Sequence, residues 1–127
     1  METQKKWMTV TGWILTALPM LGALIPSAIF KFQAKPEMVA NWSSFGFQPS
    51  TLFPIAVTEA VCVIVHLIPK TTVLGAILLT GYLGGAVLTH VRMGQVQFVG
   101  PVIVGVLIWG GLFLREPRVR ALIPFKS

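Results

Sequence analysis

From Thr71 to Thr89 the chain reads TTVLGAILLTGYLGGAVLT without a single charged side chain. A bilayer core is crossed by about 20 apolar residues at ~1.5 Å rise each, so this stretch is long enough to span it as one helix. Small residues run through it at Gly75, Ala76, Gly81, Gly84, Gly85 and Ala86, and it ends abruptly at His90 and Arg92. In lipid, packing holds helices together, and small residues let their backbones approach closely. The stretch reads as the central packing helix of a membrane bundle with a polar site at one end. Its Gly81-x-x-x-Gly85 spacing is that of helix association.

Composition supports the membrane class. The chain has 127 residues, enough for one domain, of which 54% are hydrophobic and 11% charged. A soluble domain carries roughly a quarter charged residues. The mean hydropathy is +0.78. Asp is absent, and Glu occurs only at Glu2, Glu37, Glu59 and Glu116. The net charge of +6 invites a nucleic-acid reading. The positive residues flank apolar segments, however, where orientation in the membrane and anionic lipid account for them. No nucleic-acid partner is expected. Cys62 is the single cysteine, which excludes an intramolecular disulfide and a CxxC redox pair.

The expected fold is all-α: an integral membrane four-helix bundle, with spans at about 7–31, 51–68, 71–92 and 98–114. Span one is too long for a signal-peptide core, and its Pro19 and Pro26 should bend it. Between spans one and two, Pro36 and Glu37 open a short helix whose Met38, Val39, Trp42 and Phe45 share a face. That helix is expected to lie at the membrane surface, as an anchor or as a lid. Trp109 reads as an interfacial aromatic of span four. The tail from Arg115 reads as basic and lipid-facing.

Four spans put both termini on one side. Lys5, Lys6, Lys70, Arg115, Arg118, Arg120 and Lys126 fall there, against Lys31, Lys35 and Arg92 on the other. The positive-inside rule then places both termini in the cytoplasm.

Glu59 is the strongest chemical signal. It lies roughly 12 Å into its span at helical rise. An intramembrane carboxylate is costly unless paired, protonated or wet, which makes it a functional hypothesis by default. Lys31, His90 and Arg92 sit toward the same end, so the candidate ligand-binding set is Lys31, Glu59, His90 and Arg92. At about 100° per residue, Glu59, Cys62, Val63 and His66 form one stripe, and His90 shares a face with Thr72, Ala76, Leu83 and Ala86. Arg92 points away from that face. The expected partner of Glu59 is therefore Lys31 or His90, with Arg92 meeting headgroups or the 31–50 segment. His66 reads as solvated near the cytoplasmic interface, and Cys62 as a small apolar filler. No catalytic residue and no metal site is expected.

The stretch IPKTTVLGAILLTGYLGGAVLTHVRMG resembles the third helix of the DoxX-like family of small bacterial membrane proteins. Lys31, Phe45-Gly46-Phe47, Glu59, and Trp109 followed by LFLREPRVRALIP fit the same pattern. The resemblance implies a four-helix bundle. In the wider group it also implies association with redox enzymes that use quinone as acceptor. The expectation is a non-catalytic subunit of the bacterial cytoplasmic membrane that binds a small lipophile, a quinone among them. Its partners would be membrane lipid and a membrane protein or a second copy. Two rivals stand beside it: a small proton-coupled transporter using Glu59, and an assembly factor packing through the Gly81–Gly85 face.

Overall fold

The computed structural model describes residues 4–126. The first span is α1 (Lys6–Pro19), a π turn (Met20–Leu24) and α2 (Ile25–Gln33) in direct succession. A short α3 (Pro36–Ser44) follows, then α4 (Leu52–Leu67), α5 (Thr72–Arg92), α6 (Val99–Arg115) and a four-residue α7 (Pro117–Arg120). The described residues include no strand. Four helical segments are long and apolar enough to cross a membrane: Lys6–Gln33, Pro49–Leu67, Pro69–Arg92 and Val96–Arg115.

The π turn follows from Pro26. Proline has no N–H, and its ring clashes with the carbonyl one turn back, here that of Gly22. The chain answers by widening the preceding turn, and the N–H of Ile25 bonds to the carbonyl of Met20. A widened turn rotates everything after it relative to a regular helix. It thereby decides which side chains of α2 face the bundle.

The helices close a ring in which α1 packs on α6, α6 on α5, α5 on α4 and α4 on α2. The interior is filled by Met20, Leu24, Val63, Ala76, Leu79, Leu83, Ile108 and Leu112, with Cys62 as an apolar filler. The outside is also apolar: Leu18, Leu21, Ile64, Ile77, Leu88 and Val106 are all well exposed. Such a surface suits lipid, where cohesion comes from packing and interhelical polar contacts.

Close packing falls at other glycines than those the helix-association spacing indicates. A methyl group at Gly75 would lie 2.3 Å from the backbone of His66, one at Gly12 2.7 Å from the Gly111 carbonyl, and one at Gly111 2.7 Å from the Gly12 carbonyl. These three set the α4–α5 and α1–α6 crossings. Gly81, Gly84 and Gly85 meet no atom within 4 Å. Within this chain the Gly81–Gly85 face is therefore open, and the expected packing role there is not met.

The tail also differs from expectation. Val119 and Arg120 are buried rather than lipid-facing. Arg120 donates to the carbonyls of Phe113 (2.8 Å) and Leu114 (2.9 Å) and to Gln4 Oε1 (2.7 Å). The last carbonyls of a helix have no partner within it. Here a cation meets them, folding α7 back under α6.

Candidate functional site

The carboxylate of Glu59 is 1% exposed and stands 3.0 Å from Lys31 Nζ, whose side chain is 12% exposed. Of the two expected partners, the structure selects Lys31. Ser27, one turn before Lys31, completes a triangle. Lys31 Nζ donates to Ser27 Oγ at 2.5 Å, and Ser27 Oγ is 3.3 Å from Glu59 Oε1. The turn at Met20–Leu24 brings Ser27 and Lys31 onto the α4 side. Tyr82, on α5, interacts with the same carboxylate. No buried side-chain nitrogen or oxygen among the described residues lacks a partner, as buried polar groups require.

A cavity of about 320 Å³ opens beside this cluster. Its polar lining is Ser27, Lys31, Glu59, Tyr82 and His90, and its apolar walls come from Ala23 and Leu24, Leu83 and Ala86, and Pro101 and Val104. The shared face anticipated for His90, Leu83 and Ala86 is thus the cavity wall. His90 Nδ1 lies 2.7 Å from Gln95 Oε1. A side-chain carbonyl only accepts, so Nδ1 carries the proton, and in the tautomer protonated there alone Nε2 is an acceptor. Lys31 has three N–H donors, and Ser27 and Glu59 engage two of them. One donor and one acceptor thus remain around an open volume.

Arg92 is the candidate that does not line the cavity. It is exposed and donates to the carbonyl of Phe45, at the end of α3. The Phe45 and His90 rings in turn meet at near right angles, with centroids 5.4 Å apart. Met38, Val39, Trp42 and Phe45 form the covered side of α3, as their spacing indicates. Trp42 is buried, stacks on Phe47 and donates to Thr51 Oγ1 at 2.9 Å. The 31–50 segment is thereby tied to both α4 and α5 at the cavity end.

A second polar cluster lies at the opposite end. His66 is fully buried, not solvated. Its Nδ1 donates to the Thr72 carbonyl at 2.8 Å, and Nε2 faces Arg115 Nη2 at 3.3 Å. Arg115 also donates to Thr72 Oγ1 (2.9 Å) and Thr16 Oγ1 (3.1 Å), and lies 4.2 Å above the Trp13 ring. Depth along the span suggested water for His66. The tight turn after α4 and the return of α6 supply protein partners instead. Trp109, expected as an interfacial aromatic, donates its indole N–H to Thr80 Oγ1 in the middle of α5, at 2.7 Å. Among the described residues no group of three His, Cys, Asp or Glu side chains is placed to hold a metal ion.

Ser27 and Tyr82 were not singled out by sequence reasoning. The signal for Ser27 is its position one helical turn before a lysine. Tyr82 is the one phenol in the chain, set in mid-span.

The model of the DoxX-like family matches residues 14–111. This chain belongs to the DoxX-like family. The matched region holds every residue of the cavity and stops short of Arg115 and α7. Comparison with curated proteins and with solved structures gives no match. The DoxX-like chain is accordingly a multi-pass membrane protein with four apolar helices and a polar cluster beside a cavity at one end of the bundle.

Proposed function

We propose that this DoxX-like protein binds a small lipophilic molecule and has no reaction of its own, serving as an accessory subunit of a membrane assembly. The observation that carries the reading is the unused N–H of Lys31 beside an open volume of about 320 Å³, within the size range of small-molecule sites. A ligand carbonyl would accept from Lys31, and a ligand hydroxyl would donate to His90 Nε2. Apolar walls from the Met20–Leu24 turn, α5 and α6 would hold the rest. A quinone fits this donor set in both its oxidised and hydroxyl-bearing forms. Glu59 and Ser27 hold Lys31 in position, and Arg92 fixes Phe45 at the rim.

The seven-to-three division of positive residues supports a bacterial cytoplasmic membrane setting with both termini in the cytoplasm. The cavity then opens toward the outer leaflet.

Native mass spectrometry of protein released from mild detergent, with lipid extraction of the same sample, tests the reading. Wild-type protein should carry a stoichiometric lipophile that Glu59→Gln loses. Protein that carries nothing, with a variant changed only in stability, would reduce the cluster to an interhelical ion pair.

A further inference from the structure

We propose that the ligand of the polar cavity carries one hydrocarbon chain, and that this chain leaves the bundle sideways between α5 and α6. The inference rests on the ligand reading above and adds the shape of the molecule and its route.

A second hollow, of about 370 Å³, lies along the α5–α6 seam. Leu83 and Pro101 line both this hollow and the polar cavity. The two spaces therefore adjoin across the side chains of Leu83 and Pro101, which form a common wall between them. The sequence explains why the groove is hollow. Gly84 presents no side chain, and a methyl group built there meets nothing within 4 Å. A methyl group at Gly105, opposite, would touch only Leu83, at 3.8 Å.

Its chemistry selects the occupant. No charged residue lines it, and its two polar side chains satisfy each other, Trp109 donating to Thr80 Oγ1 at 2.7 Å. The Thr80 hydroxyl proton goes to the Ala76 carbonyl at 2.7 Å. No hydrogen bond is left to offer, so the groove suits plain hydrocarbon. The polar cavity, by contrast, retains a donor and an acceptor. A molecule that fills both is amphipathic, with a compact polar head and a single chain. It would enter laterally from lipid without passing through water.

The test compares two probes on protein in lipid nanodiscs. One is a benzoquinone bearing a decyl chain that ends in a photoreactive diazirine; the other carries a methyl group in place of the chain. On irradiation the first should label α6 of wild-type protein, at Val102, Val106 or Trp109. In Gly84→Leu that label should disappear, while the methyl probe should still displace bound ligand as from wild type. Val106→Trp, at an exposed groove position, should give the same loss should Gly84→Leu fail to fold. Labelling elsewhere, or undiminished labelling of both variants, would overturn the inference and leave the ligand reading standing. So would a Gly84→Leu variant altered only in oligomeric state, which would make the groove a contact between copies. Failure of both probes to bind wild-type protein would bring down the quinone-like head, and the inference with it.

Discussion

The two ends of the bundle each bury a cation in a polar cluster, and they do it differently. At the Glu59 end, Lys31 meets a carboxylate and a hydroxyl and keeps one donor over an open cavity. At the other end, Arg115 hydrogen-bonds two threonine hydroxyls, faces the His66 ring and lies over the face of Trp13. That end is packed shut by Gly75 against His66 and by Gly12 against Gly111. Burial of charge is common to both and does not separate a binding site from structural glue. Spare hydrogen-bonding capacity next to open volume does.

The largest expected effect breaks the Glu59 end. Lys31→Met strands a carboxylate that is 1% exposed, and breaking a buried pair in this way costs about 3 kcal/mol. Glu59→Gln should cost under about 1 kcal/mol, because the long stem of Lys31 lets its head snorkel toward the cavity mouth. Thermal unfolding in mild detergent measures both. Equal losses would mean that the pair is symmetric and that Lys31 is as enclosed as its partner.

Gly75→Ala probes the packed end. Alanine is the better helix former by about 1 kcal/mol, yet its methyl would stand 2.3 Å from the His66 backbone. Overpacking of this kind costs about 1–3 kcal/mol, so a net fall in unfolding temperature is expected. A rise would show that α4 and α5 can separate freely. Arg115→Met removes hydrogen bonds from a charged group and should cost about 2 kcal/mol, with ligand content unchanged. Loss of ligand in that variant would erase the distinction between the two ends. Smallest is Arg92→Ala, an exposed site expected to change stability by under about 0.5 kcal/mol. Its trace should appear as faster proteolysis between residues 34 and 48, since it frees the Phe45 carbonyl.

The four spans and the Glu59 stripe were legible because both rest on properties that neighbours cannot change: length without charge, and an angular step of 100° per residue. The angle of Arg92 excluded the bundle interior for the same reason and left headgroups or the 31–50 segment; its bond to the Phe45 carbonyl is of the second kind. His66 and Arg115 were misplaced because depth along a span does not reveal which helix returns beside it. Glycine spacing misled similarly. Gly81-x-x-x-Gly85 describes a smooth helix face, but whether a partner lies on that face depends on the ring order of the helices. The π turn escaped because Pro26 dictates only a disturbance. That the disturbance becomes a wide turn at Met20–Leu24, aiming Ser27 at Glu59, is decided by packing.

The most direct measurement is the ligand content and unfolding temperature of the double variant Lys31→Met/Glu59→Leu. Replacing a buried ion pair by apolar residues of similar volume is often neutral for stability. The account predicts a protein that unfolds near the wild-type temperature and carries no lipophile, while wild-type protein carries one. A double variant that retains the lipophile at the wild-type level would contradict it.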